Sequence, residues 1–230
     1  MIVPSAILDA LASVRDPELD TSIVELGFVT ACWLDEGGTA HIRLRLPTYF
    51  CAPNFAYLMV SDAHAAVVGI DGVEAVDISL EDHFASDEIN VGVAARAGFV
   101  ASFDGLAERE LGELRRTFLR KAALAAQDRV LRPLLAAGLR PIELAALTLA
   151  DLPPSADRDR LRSRREELGL PAGDDDPVLL QLDGTPVSDT DVPVHLRRSR
   201  TVRVSMDANS DVCRQLLAER YPAATPLDPR

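Results

Sequence analysis

No run of apolar residues in this 230-residue chain approaches the roughly eighteen that a membrane-crossing helix needs. The N-terminus has no basic segment followed by an apolar stretch, so no secretory signal is read there. Cysteine is scarce. Cys32, Cys51 and Cys213 are odd in number, widely separated and in no C-x-x-C pair. That pattern argues against a disulfide framework or a structural zinc site and suits a reducing cytoplasm. Internal repeats and low-complexity tracts are absent as well.

What is present is an ordinary globular apolar fraction, 47%, with the acid unevenly placed. Residues 1–100 hold 15 Asp and Glu against 4 Lys and Arg, a net charge of −11; the remaining 130 residues are close to balanced at −1. An acidic first half repels phosphate backbones, so nucleic acid is a poor partner. The contrast also suggests two units of different character.

Hydrophobic periodicity outlines the first unit. Residues 4–14 place Ile7, Leu8, Leu11 and Val14 on one helical face after Pro4, and Asp16-Pro17 ends the run. Phe28 to Leu34 reads as a strand and Asp35 to Gly38 as a turn. Ile42, Leu44 and Leu46 then alternate with His41, Arg43 and Arg45, the period of a half-buried strand. Helical spacing returns over Asn54 to Gly69, alternation over Val73 to Leu80, and Ser86-Asp87-Glu88 reads as a capped helix start. The expected fold is α/β: a small α-β-β-α-β sheet domain at 1–100, its helices packed on one face, and a mainly α-helical domain at 105–230. Gly98 to Gly105 is the expected boundary. Beyond it, helices are expected over 106–137 with a break at Pro133, over 139–152 and over 157–168. A short strand at 178–182 and two helices flanking Asn209 complete the reading.

The sharpest chemical signal is Cys51, which lies between a strand and the Ala-Pro-Asn that opens a helix. A thiol there meets unpaired N–H groups and a helix dipole, which favour the thiolate that attacks electrophiles and binds iron. A small buried apolar role is equally compatible with spacing alone.

The segments DPELDTSIVELGFV (16–29) and HIRLRLPTYFCAP (41–53) resemble the SufT/PaaD-like iron–sulfur cluster assembly family. Its Asp-Pro-Glu, acidic-Leu-Gly and Thr-rich loop ending in cysteine match Asp16-Pro17-Glu18, Glu25-Leu26-Gly27 and Pro47 to Cys51, in order. The resemblance covers about 1–100. It implies that Cys51 is the reactive thiol, with Asp16, Glu18 and Thr48 lining its pocket, and that an iron–sulfur cluster or iron is held transiently. Apo iron–sulfur or di-iron proteins are the implied partners, including a multicomponent di-iron oxygenase system, and a homodimer would complete a site that one thiol cannot. The sequence departs from the pattern at Pro47, where threonine is common, and at Pro53, displaced from directly after the cysteine. Tyr49 and Phe50 also replace small residues.

His83, among Glu81, Asp82, Asp87 and Glu88, is a secondary metal-ligand candidate beside Cys51, weighed against a solvated acidic loop. His41 and His64 are given no role, and Cys32 and Cys213 are read as packed residues. Segments 138–152 and 176–200 resemble fragments of the tyrosine recombinase fold, with Arg140, His195, Arg198 and Tyr221 in a similar order. The short, nearly neutral segment argues against that activity. The sequence therefore points to a cytoplasmic assembly or carrier protein, with a metal-free adaptor docking clients through its helical domain as the alternative. A thiol enzyme is the third reading, without an adjacent general base.

Overall fold

The computed structural model describes residues 5–103 and 105–222. Pro4, the expected start of the first helix, lies outside the described residues. The chain divides into two compact units: the described residues of Met1–Glu113 together with those of Asn209–Arg230, and Leu114–Ala208. The expected division at 1–100 and 105–230 keeps the C-terminal segment with the helical domain. Packing instead joins it to the first unit, because Cys213 and Leu217 lie against the first unit's core.

The first unit opens with α1 (Ser5–Ser13), whose Ile7, Leu8 and Leu11 are buried. A two-residue ladder that periodicity cannot reveal follows, β1 (Arg15–Asp16) against β2 (Thr21–Ser22). The main sheet comprises β3 (Val29–Leu34), β4 (Thr39–Arg45) and β5 (Ala75–Glu81), in the order β3-β4-β5. The first pair is antiparallel, with a register shift between Val29 and Ala31, and the second is parallel. A parallel neighbour requires a crossover, supplied by α2 (Pro53–Val67). After β5 come α3 (Ser86–Ala94) and the single turn α4 (Phe99–Ser102).

Alternation on β4 divides the sheet. Ala40, Ile42 and Leu44 are buried beneath the helices, each large apolar side chain contributing about 1.5–3 kcal/mol. His41, Arg43 and Arg45 lie on the other face. There His41 stacks on Trp33 at 4.7 Å and bridges Asp35 and Asp77, while Arg43 pairs with Asp77 at 2.7 Å. The α/β reading with helices on one face therefore holds. One local expectation changes: Ser86 is not the cap of α3, because Ala85 occupies that position without a side-chain bond.

The second unit holds most of α5 (Gly112–Ala136), α6 (Pro141–Leu144), a 3-10 turn (Leu149–Asp151), α7 (Ala156–Leu168) and the first part of α8 (Val192–Arg220). Its core gathers Leu131, Leu144, Leu149, Leu161, Val178 and Val192. Several expectations are corrected here. α5 continues through Pro133, and α8 is one helix of 29 residues that passes Asn209 without a break. The expected 139–152 helix is two short turns separated by a link. The expected strand at 178–182 is reduced to isolated bridges at Thr148–Pro177 and Leu180–Pro186. Buried Arg165 explains that irregular segment: its guanidinium donates to the carbonyls of Pro177 (2.8 Å) and Val178, satisfying backbone groups that no ladder pairs. Burial draws its pKa down to about 10.

Candidate functional site

Cys51 stands immediately before Ala52, the N-cap of α2, with Pro53 in the first turn where a missing N–H is tolerated. Its thiol is half-buried. The Sγ lies 3.3 Å from the Thr48 hydroxyl oxygen, and the Cys51 N–H donates to the Thr48 carbonyl at 3.4 Å. The loop thus turns back on itself and brings the Thr48 hydroxyl beside the Cys51 thiol.

His83 anchors this loop from the far end of β5. The Ala85 N–H donates to its Nδ1 at 3.2 Å, which leaves the ring proton on Nε2 to be donated to the Cys51 carbonyl at 2.7 Å. The ring is 3% exposed, and burial holds its pKa below the ordinary histidine range, so the neutral form is favoured. Both nitrogens are committed. In this arrangement His83 positions the cysteine and has no free nitrogen to offer a metal. A second tie, from the Phe84 N–H to the Tyr49 carbonyl at 3.2 Å, joins the same two loops.

Rings cover the outer side. Phe50, 77% exposed, lies 5.0 Å from Tyr49 and 5.9 Å from Phe84, and both of those rings are also exposed. The three rings form an apolar rim on the two loops that His83 ties together.

Asp16 is 8% exposed. One carboxylate oxygen accepts the N–H groups of Glu18 (2.8 Å) and Leu19 (3.0 Å), the pattern of a carboxylate closing a local turn. Burial nevertheless lifts its pKa to about 6, outweighing both hydrogen bonds, and the neighbouring Glu18 charge adds to the rise. No hydrogen bond joins Asp16 or Glu18 to Thr48 or Cys51 among the described residues. Gly27 has a φ of 77°, a turn conformation that disfavours a side chain, and Leu217 packs over it.

The sequence reading missed the contribution of the last turns of α8. Arg220 donates to the Leu46 carbonyl (3.1 Å) and the Asp82 carbonyl (2.8 Å), and its guanidinium pairs with the Asp82 carboxylate at 2.9 Å. The Tyr221 hydroxyl donates to the same carboxylate at 2.5 Å. Asp82 has a φ of 55°, so this clamp holds a strained residue directly before His83. Cys213, from the same helix, is half-buried against the core that also carries Cys51. No local pattern could announce it, since the two cysteines are far apart in sequence. Cys32, by contrast, is packed inside β3, where burial pushes its thiol up to about 11.

Among the described residues, no three His, Cys, Asp or Glu side chains form a set that could hold a metal ion. No helix is long and apolar enough to cross a membrane. The recombinase-like residues have separate commitments: Arg140 pairs with Glu143, buried His195 contacts Gln127 at 3.0 Å, and Tyr221 is bound to Asp82.

Residues 4–80 match a family described as iron-sulfur cluster assembly protein. An uncharacterized protein of Methanocaldococcus jannaschii is 30% identical over 90 residues, which span 39% of this chain and 93% of that protein. No solved structure matches.

Proposed function

The chain belongs to the iron-sulfur cluster assembly protein family through its N-terminal segment, and we propose that Cys51 is the thiol by which it carries its cargo. That cargo is iron(II) or an iron–sulfur cluster, taken up transiently and passed to an apo-protein. One observation carries the reading. In the loop just ahead of α2, within the matched segment, the Cys51 sulfur lies 3.3 Å from the Thr48 hydroxyl, and its carbonyl is held by His83 beyond that segment. A half-buried thiol with an anchored backbone can present one soft ligand reproducibly while its other coordination positions stay open to a recipient.

The incomplete ligand set supports a carrier over a storage protein. A cluster ordinarily takes four protein ligands, and a single thiol leaves the remainder to a second copy, to small molecules or to the client. A homodimer and an apo iron–sulfur or di-iron client, including a multicomponent oxygenase, are the partners this reading proposes, in the cytoplasm. The Tyr49, Phe50 and Phe84 rings are the surface such a client would cover during transfer. His83 enters as a positioning residue, and Asp16, Glu18 and Thr48 as the polar lining of the site.

Those exposed rings also favour a second reading, a metal-free adaptor that binds clients without holding cargo. Transfer separates the two. Protein loaded anaerobically with iron and sulfide is mixed with an apo-ferredoxin in the presence of a chelator. A carrier delivers faster than free iron and sulfide, and Cys51→Ser abolishes the gain. Delivery no faster than from free ions, with client binding unaffected by Cys51→Ser, would favour the adaptor.

A further inference from the structure

Residues 1–100 carry four bases among fifteen acids, and one of those bases is not claimed by the fold. Arg43 pairs with Asp77 and Arg45 with Glu81, while Arg15 donates to the Asp20 carbonyl. The Arg96 guanidinium makes no hydrogen bond or ion pair to the protein among the described residues. In so acidic a segment, many carboxylates could have closed on it.

The backbone at Arg96 is costly as well. Its φ is 52°. Its N–H donates to the Val93 carbonyl at 3.0 Å, and the Ala97 N–H to the Gly92 carbonyl at 2.9 Å. That closure of a helix end ordinarily puts glycine in the left-handed residue, where a side chain is strained. An arginine kept in such a conformation points to a use for its side chain.

Arg96 lines an open cleft of about 440 Å³ formed by α2 and the end of α3. Tyr57, Ser61, His64 and Val68 enter it from one face of α2, at the spacings of neighbours on a helix, and Val93 adds apolar wall. Tyr57 is buried and held edge-on against Phe99 at 5.4 Å. The side chains of Ser61 and His64 are also unbonded to the protein among the described residues. Burial, then the Arg96 charge, hold His64 below the ordinary histidine range, which agrees with both facing one space. Neutral His64 offers one N–H. Glu110, beside Gly98 at the rim, is committed elsewhere, accepting the N–H groups of Phe99 and Val100 at 3.1 Å. Apolar walls with a few convergent polar groups, at this volume, are the makeup of a small-molecule site.

We propose that this cleft binds a small organic carboxylate, with Arg96 holding the anion and Tyr57, Val68 and Val93 packing its apolar body. Ser61 and His64 supply further donors. A planar guanidinium matches a carboxylate with two parallel N–H bonds, which a lysine could not do. The site is separate from the thiol, since about three turns of α2 lie between Pro53 and His64.

Benzoate is the probe, titrated at pH 7 into the isotope-labelled full chain and followed by two-dimensional NMR. The amides of Ser61, His64, Arg96 and Gly98 should shift together, with a Kd on the order of a millimolar, the affinity open to so small a ligand. Arg96→Gly relaxes the backbone, so it should unfold at no lower urea concentration while binding benzoate about tenfold or more weakly. Benzamide, which lacks the charge, and acetate, which lacks the ring, should each bind more weakly than benzoate. Cys51→Ser should bind it as the wild type does, which keeps this result independent of the cargo reading. No shift at these amides, or an Arg96→Gly chain with wild-type affinity, would overturn the proposal. Benzamide or acetate binding as tightly as benzoate would overturn it too.

Discussion

The Nε2–H of His83 donates to the Cys51 carbonyl at 2.7 Å, tying the end of β5 to the loop that enters α2. Burial favours the neutral ring even though the carbonyl contact alone would raise its pKa, and the bond sets a backbone position. Substitution by alanine leaves a carbonyl and an N–H without their partner and should cost about 1–3 kcal/mol. His83→Ala is therefore expected to unfold at lower urea concentration. Its Cys51 should also be alkylated faster at pH 7 than in the wild type, because the loop is freed. Unchanged alkylation together with unchanged stability would remove His83 from the positioning role.

Asp16 makes stability depend on pH in a direction opposite to most carboxylates. Its folded pKa of about 6 lies above the ordinary value of 3.8, so between these values the folded chain keeps a proton that the unfolded chain has lost. Its contribution to stability is full below 3.8 and declines as pH rises to about 6. A shift of roughly two units corresponds to about 3 kcal/mol. Asp16→Asn can keep accepting the Glu18 and Leu19 N–H groups, and should be more stable than the wild type at pH 7 by up to that amount. The gap should close near pH 4. Parallel stability curves across this range would show that burial does not perturb this carboxyl. A variant that gains stability while losing cargo binding would mark Asp16 as a group retained for function.

The clamp on Asp82 yields a third expectation. Removing the Tyr221 hydroxyl or the Arg220 guanidinium withdraws partners from a residue held at a φ of 55°, next to the histidine that fixes Cys51. Arg220→Ala should destabilise the chain by about 1–3 kcal/mol and Tyr221→Phe by about 1 kcal/mol. Asp82→Gly, which relieves the backbone conformation while losing the carboxylate, should cost less than Arg220→Ala. Urea denaturation of the three variants checks the order, and an Asp82→Gly chain less stable than Arg220→Ala would refute the strained-hinge account.

Phe50 separates loading from delivery. Its ring is largely exposed and meets the Tyr49 and Phe84 rings, so Phe50→Ser should fold normally and load iron as the wild type does. Transfer to an apo-protein should slow by about tenfold, the loss expected when an aromatic anchor leaves an interface. Equal transfer rates would show that the rim does not meet the client.

Much of the first unit was legible because its residues obey a period. Ile42 and Leu44 on a two-residue repeat, and Ile7, Leu8 and Leu11 on a helical one, announce their elements and their buried faces. Thr48, Cys51 and Pro53 form a local signature, so the head of the site could be read in a single window. The remainder depends on the chain returning to itself. The β1–β2 ladder is too short to show alternation, and Arg165 replaces a strand with side-chain hydrogen bonds that leave no repeat. Cys213, Arg220 and Tyr221 reach the first unit only after the whole second unit has been traversed. Asn209 suggests a helix break that tertiary packing overrides. His83 was noticed for its acidic neighbours, yet its partner is a carbonyl oxygen, a group that every residue possesses and no sequence advertises.

The central claim is that Cys51 holds iron or an iron–sulfur cluster. Its most direct test is anaerobic purification of the wild type and Cys51→Ser from iron-replete cells, with iron, acid-labile sulfide and visible absorption recorded on the same samples. The account predicts iron, with or without sulfide, bound to the wild type and lost from Cys51→Ser. Two colourless proteins free of metal, or equal metal in both, would contradict it.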